Sequence, residues 1–325
     1  MVTQELHENK FVLDRFRRVI RNQRLAHAYL FIGPEGIGKG QTALAVAKLI
    51  NCEKQERPTS QSYCGVCSAC RRIDSGNFPD VTVIGVGQDS SIRISQVREI
   101  ITRMQLRAYE AAVKIFIIEK IEDLSLEGSH ALLKTLEEPS KDSLFILTTD
   151  VLEKNLSTIR SRCHAVYFFA QDRESLMQSL QASSHLQPDV CHFLVTYAQG
   201  YPGRAQRFSQ QGLLERRNAY VDGLILKRND SAVLKKVVAD RGQTKEALDI
   251  LLSWFRDVLL LKAGAQRHDL MHRDRFTDLE RTARRYTHRQ TEDIINEVVR
   301  NARLLDANLN IKIAMQILME KIWQK

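Results

Sequence analysis

Residues 33–39 read Gly33-Pro34-Glu35-Gly36-Ile37-Gly38-Lys39, directly after the apolar run Tyr29-Leu30-Phe31-Ile32. A strand that runs through G-x-x-x-x-G-K into a helix is a phosphate loop: glycines let backbone N–H groups close around phosphate, and the lysine reaches the β/γ oxygens. Gln41 to Ile50 supplies the helix, with Lys39 at its start, where free backbone N–H groups favour anions. The same loop with nothing bound, kept only for its shape, is the other reading. The position after the lysine should carry the Ser or Thr hydroxyl that holds Mg²⁺, and here it is Gly40. Thr42 is no substitute, because two residues along a helix is about 200° around its axis. The second half of an ATPase site is an acidic pair after an apolar strand. Here Ile115 to Ile118 is followed by Glu119-Lys120, and Lys120 cannot activate water as a carboxylate would. ATP or ADP can be held in such a loop, Mg²⁺ has lost its usual ligands, and efficient intrinsic hydrolysis is not expected.

The rest of the chain sets this loop in a mostly parallel α/β sheet. Strand candidates at 28–32, 81–86, 113–118, 144–147 and 166–169 are apolar throughout, and helical stretches at 95–106 and 128–138 lie between them. Such alternation predicts a parallel sheet covered on both faces. Phe11, Phe16, Val19 and Ile20 form an apolar stripe on a helix within residues 1–26. Residues 51–79 are polar and cysteine-bearing and read as an insertion rather than core. Three regions are expected: a nucleotide-binding-like domain over 1–168, a small helical unit over 169–207, and a helical domain over 208–325. In the last, Ala247 to Leu261 and Thr291 to Trp323 read as amphipathic helices.

Cys64-x₂-Cys67-x₂-Cys70, with Cys52 a short polar segment upstream, offers four thiolates that can close tetrahedrally around a structural Zn²⁺. Iron–sulfur ligation and four reduced thiols are the alternatives. Cys163 and Cys191 stand apart. Six cysteines in 325 residues do not make a secreted disulfide scaffold. No apolar run approaches a membrane span, and Met1 to Phe11 has no apolar core of a signal peptide, so a cytoplasmic protein without a membrane partner is expected. The formal charge of +9 is compatible with a nucleic-acid or acidic partner. Basic residues recur in 204–228 and 273–289 as solvated helix faces, without interleaved aromatics. His130 and His164 read as packing or surface residues.

Thr148-Thr149-Asp150 ends a strand, where it either senses a ligand across the sheet edge or simply terminates the strand. By residue type alone Arg162, on a short turn before a strand, reads first as a solvated or salt-bridged arginine. Arg204 follows the break Gly200-Tyr201-Pro202-Gly203 and is a weak candidate for reaching a nucleotide.

Taken with these, Ala131-Leu132-Leu133-Lys134-Thr135-Leu136-Glu137-Glu138-Pro139 and Thr158-Ile159-Arg160-Ser161-Arg162-Cys163 carry a specific resemblance. The chain resembles the bacterial DNA polymerase III clamp-loader family, on its delta-prime branch, strongly over 10–205 and by order and length beyond. The resemblance implies an AAA+ module, a small lid and a C-terminal helical collar. It implies a circular heteropentamer with the ATPase subunits and the delta subunit that opens the sliding clamp and places it on primed DNA. It makes Arg162 a trans-acting arginine finger, Gly33, Gly36, Gly38, Lys39 and Gly40 the phosphate loop, Thr149 the strand-end sensor region, Arg204 the lid-domain sensor, and the four cysteines a zinc module. The ATPase relatives keep Ser or Thr after the lysine and an Asp-Glu pair on the acidic strand. Gly40 and Glu119-Lys120 depart from both, which favours the non-hydrolysing branch. An active AAA+ clamp-loader ATPase and a zinc-bearing nucleic-acid adaptor without nucleotide use are the competing functions.

Overall fold

A computed structural model describes residues 9–53, 63–86, 91–140, 142–151, 157–183, 186–227, 231–307 and 311–323. The reading of the extreme N-terminus and the middle of the cysteine segment, 54–62, lie outside the described residues. The chain divides into two compact units, one of residues 1–171 with 201–204, the other of 172–200 with 205–325.

The first unit is a parallel sheet. Its strands are β1 (Ala28–Ile32), β2 (Val81–Ile84), β3 (Lys114–Ile118), β4 (Ser143–Thr149) and β5 (His164–Tyr167), in the order β2-β3-β4-β1-β5. Every pairing is parallel. Side chains alternate across the pleat, so the sheet builds two cores. Tyr29, Phe31, Ile115, Ile117, Leu144 and Ile146 enter one. Leu30, Ile32, Phe116, Ile118, Phe145 and Leu147 enter the other, where Phe116 stacks on Phe145 at 5.3 Å.

The expectation of strands buried throughout holds for the three central strands. It fails for β2, where Val83 is exposed, and for β5, because an edge strand has one neighbour instead of two. Helices α1 (Lys10–Arg21), α2 (Lys39–Asn51), α3 (Ser68–Asp74), α4 (Ile94–Gln105), α5 (Leu126–Glu137) and the single turn α6 (Ser157–Arg160) complete this unit.

Two sequence readings are corrected here. Phe11 is not on the buried stripe of α1: it is 74% exposed, and Val12 and Leu13 take its place beside Phe16. The cysteine segment is not a peripheral insertion. Cys52, Cys67, Cys70, Ile73 and Phe78 belong to the core shared with β1, β3 and β4. Its polar composition hid this, because these buried residues are three small thiols and two isolated apolar side chains, Ile73 and Phe78, with no periodic run between them.

The second unit is helical among its described residues. Helices α7 (Arg173–Ser183), α8 (Pro188–Tyr197), α9 (Pro202–Gln210, whose first residues count with the first unit), α10 (Leu213–Tyr220) and α11 (Ser231–Ala239) precede the long α12 (Arg241–Lys262). Then come α13 (Phe276–Arg285), α14 (His288–Asp306) and α15 (Ile311–Trp323), so the run expected as one helix from 291 to 323 is two.

Helix α12 starts at Asp240, whose side chain accepts from Gln243 N, and buries Leu248, Leu251, Trp254, Phe255 and Val258. Arg217 is fully buried, paired with Asp274 at 2.6 Å and stacked 4.3 Å over the Phe193 ring. Burying a guanidinium costs several kcal/mol unless it is paired, and this pair binds α8, α10 and the segment before α13 together. Among the described residues no helix is long and apolar enough to cross a membrane.

Candidate functional site

The phosphate loop leaves β1 as the sequence requires. Gly36 and Gly38 adopt φ of +80° and +95°, a region that L side chains rarely enter, and Gly38 caps α2. The backbone of Gly203 donates to Gly36 O at 2.8 Å, and a β-carbon on Gly36 would strike Arg204. Glycine is required at 36 by both torsion and space. The backbone and first side-chain carbons of Arg204 thus lie against the loop, with its guanidinium 4.8 Å over the Tyr201 ring.

Lys39 is buried, and its ammonium is already committed. It donates to Gly33 O at 2.6 Å, to Pro34 O at 3.0 Å and to Asp150 Oδ1 at 2.6 Å. Asp150 also faces Lys120 at 3.5 Å, and Lys120 faces Glu35 at 3.7 Å. Burial opposes the charge on Lys120, yet the carboxylates of Glu35 and Asp150 hold its pKa above the usual lysine value. Asp150 is fixed in turn: its N–H donates to Glu122 Oε1 at 2.8 Å. A phosphate entering this loop would have to displace a carboxylate that occupies its counter-ion.

Gly40 is more than a missing hydroxyl. A β-carbon built there would collide with Glu119 Oε1. The Glu119 carboxylate thus lies in the volume that a Ser or Thr side chain would fill. Burial raises its pKa, against the pull of Lys39 and Lys120 and with the help of Asp150. Thr42, expected to face away from any metal, donates its hydroxyl to Gly38 O at 2.8 Å and accepts from Asn9 N at 3.0 Å. It anchors the start of α1.

Thr149 ends β4 beside Ile32, and its O accepts from Gly33 N at 3.2 Å. Its hydroxyl turns onward to Val151 O at 2.7 Å. Thr148 is the strand-end hydroxyl that faces the acidic strand, accepting from Lys120 N at 3.1 Å.

Arg162 follows α6 and is about one-third exposed. Its Nε donates to Glu137 Oε1 at 2.9 Å, its Nη2 to the same oxygen at 2.5 Å, and its Nη1 to Thr158 O at 2.8 Å. The guanidinium is thus presented at the surface and aimed by the last turn of α5. His130 and His164 stand in neither of these groups.

The four cysteine sulfurs lie within 4.8 Å of one another. Tetrahedral Zn–S bonds of about 2.3 Å set sulfurs about 3.8 Å apart, so the group needs only a small contraction to hold the ion. Backbone N–H groups of Cys64, Cys67 and Cys70 donate to the sulfurs of Cys52, Cys64 and Cys67 at 3.4, 3.2 and 3.4 Å. Such donors stabilise thiolates. Burial works against ionising Cys64, but donors from Val66 and Cys67 bring its pKa down to about 6. Burial and the neighbouring sulfurs push Cys70 up. An acidic Cys64 thiol beside a Cys70 thiol held protonated by burial is what a cation resolves, since metal coordination deprotonates the ligand thiols together. The donor set fits zinc as a closed structural ion. Cys163 and Cys191 are outside it.

Asp150 as the lysine's partner, Glu119 as the filler above Gly40, and Glu137 as the holder of Arg162 are not read from the sequence. Each lies far along the chain from its partner. Only the register Ile32↔Thr149, which sets Asp150 next to the loop, reveals the first.

Comparisons with known proteins identify a family. The family profile described as DNA polymerase III, delta subunit, matches residues 8–172, and that described as DNA polymerase III, delta subunit, C terminal, matches 211–322. The chain is 32% identical over 256 residues to DNA polymerase III subunit delta' of Pseudomonas aeruginosa, covering 76% of this chain and 74% of that one. It is 28% identical over 310 residues to the subunit delta' of Bacillus subtilis, covering 91% of each. It is 32% identical over 224 residues to DNA polymerase III subunit tau of Escherichia coli, covering 67% of this chain but 33% of tau.

Proposed function

This chain belongs to the DNA polymerase III delta-subunit family of AAA+ clamp-loader subunits, and from that membership we propose that it is a partner-activating subunit rather than a motor. In this reading it joins the ATPase subunits and the delta subunit in the assembly that sets the sliding clamp on primed DNA. Residues 169–207 act as its lid and 208–325 as its collar.

The observation that carries the reading is the state of its own loop. Lys39 is neutralised by Asp150, and the Glu119 carboxylate fills the place of the missing hydroxyl. An active ATPase would need both groups to leave. Nucleotide binding without hydrolysis, through Gly33, Gly36, Gly38, Lys39 and Gly40 with Thr149 and Arg204 nearby, requires only the first. The closed cysteine site holds zinc as a brace and supplies no chemistry.

Arg162 is the residue offered outward, as an arginine finger in trans. Its guanidinium now serves Glu137, Thr158 O and Ser161 Oγ. Passing from Glu137 to a neighbour's γ-phosphate exchanges one oxyanion for another, at a surface where the ion pair itself contributes about 0–1 kcal/mol. At the transferring phosphoryl group the same cation offsets developing charge, an effect of roughly 10³–10⁵ in rate.

The test is a reconstituted clamp loader carrying Arg162→Ala. The chain should fold and assemble as before, with ATP turnover lowered by about 10²-fold or more at the site the finger serves. Undiminished turnover would remove the finger role.

A further inference from the structure

The exposed Phe11 changes the meaning of α1. The helix reads Lys-Phe-Val-Leu-Asp-Arg-Phe-Arg-Arg-Val-Ile-Arg, and its buried side is Val12, Leu13 and Phe16. At about 100° per residue, Lys10, Phe11, Arg15, Arg18 and Arg21 fall on the opposite side, and all five are exposed. Arg24 is exposed just beyond the end of the helix.

The only carboxylate within the helix is Asp14, which Arg17 takes at 2.8 Å. Among the described residues no carboxylate pairs with Lys10, Arg15, Arg18, Arg21 or Arg24. The Phe11 ring likewise has no aromatic or cationic partner there. A solvated basic face explains the arginines but not a 74% exposed phenylalanine among them.

We infer that this face of α1 binds single-stranded nucleic acid, the cations following the phosphates and Phe11 stacking on an unpaired base. Arg15, Arg18 and Arg21 climb the helix in steps of about 4.5 Å, a ladder of cations beside one aromatic platform. Backbone-tracking cations joined to a stacking ring are the recurrent means of holding single strands without reading sequence. A duplex offers the phosphates but keeps its base faces stacked inside, so the ring favours a single strand. An acidic polypeptide would use the cations and leave Phe11 idle. The inference uses neither Lys39 nor Arg162, so it stands whether or not Arg162 acts in trans.

The test titrates the full chain with a fluorescein-labelled oligothymidylate, a duplex of equal length, and polyglutamate as competitor. Phe11→Ala should weaken oligothymidylate binding about tenfold with little change in its salt dependence. Arg15→Ala, Arg18→Ala and Arg21→Ala should each flatten the slope of log K against log salt by about 0.7. All are exposed positions, and a melting curve for each verifies folding. Three results would overturn the inference: Phe11→Ala binding as the parent does, duplex binding as tightly as the single strand, or polyglutamate competing on equal terms with unlabelled oligothymidylate.

Discussion

Asp150 Oδ1 lies 2.6 Å from Lys39 Nζ, at the mouth of a loop whose glycines and torsions are those of a phosphate binder. The two residues are 111 positions apart in the chain and meet because β4 lies beside β1 in parallel register. The carboxylate takes the ammonium that a phosphate would need, and it also faces Lys120.

Asp150→Asn should therefore raise affinity for ATP by about tenfold or more, since a hydrogen bond to a charged group contributes about 1.5–3 kcal/mol to the closed state. The same change should lower stability by about 1–3 kcal/mol, because Lys39 loses its charged partner. Titration with a fluorescent ATP analogue and a urea melt read the two effects. Unchanged ATP affinity would show that Asp150 does not compete for the lysine.

Restoring the missing hydroxyl alone should not restore a metal site. Gly40→Ser meets Glu119 Oε1 and should destabilise the fold by about 1–3 kcal/mol. Adding Glu119→Ala should recover most of that loss, with an interaction energy of about 0.5–3 kcal/mol in a double-mutant cycle followed by urea unfolding. Additive effects would mean that the two side chains do not share that space.

Purified chain should carry one zinc, measured by elemental analysis. Cys70→Ser should lose it and lower the melting temperature, because Cys70 is both a sulfur donor of the cluster and part of the core. Cys163→Ser, outside the cluster, should keep the metal. Retention of zinc by Cys70→Ser would displace this cysteine from the ligand set.

His272 gives the helical unit a pH dependence. It is fully buried, and burial, with Arg217, Arg256 and Arg275 around it, lowers its pKa well below the usual value near 6.5. Its ring Nε2 meets Ser253 Oγ at 3.0 Å, its backbone N–H donates to Asp257 Oδ2 at 2.8 Å, and the rings of Phe193 and Trp254 pack on it. Below pH 6.5 the unfolded chain takes up a proton that the folded chain refuses. Stability fully present above 6.5 is then lost as pH falls, at about 1.4 kcal/mol per unit for this group. Urea unfolding at several pH values should show this slope in the parent and a shallower one in His272→Gln. Equal slopes would assign the acid lability to other groups.

The central strands, the phosphate loop and the cysteine group were legible because each is a local pattern: an apolar run, a glycine spacing, a thiol spacing. Phe11 was misread because Phe16, Val19 and Ile20 fit a helical stripe with it as readily as Val12 and Leu13 do. Only packing decides between two overlapping stripes. The plug of Asp150 and Glu119 was illegible for a different reason. Both residues stand at strand ends, in positions that suit ligand sensing, and their engagement with Lys39 and Gly40 depends on sheet order. Glu137 likewise gives no sign in the sequence that it holds Arg162.

Helix α2 begins at Lys39 and is capped at its far end by Cys52, one of the four sulfur donors. Thirteen residues at 1.5 Å each make a rod of about 20 Å, with an ammonium clasped by Asp150 at one tip and the sulfur cluster at the other. The sulfur cluster and the glycine turn are therefore the two ends of one rigid element, so neither can move along the helix axis without the other.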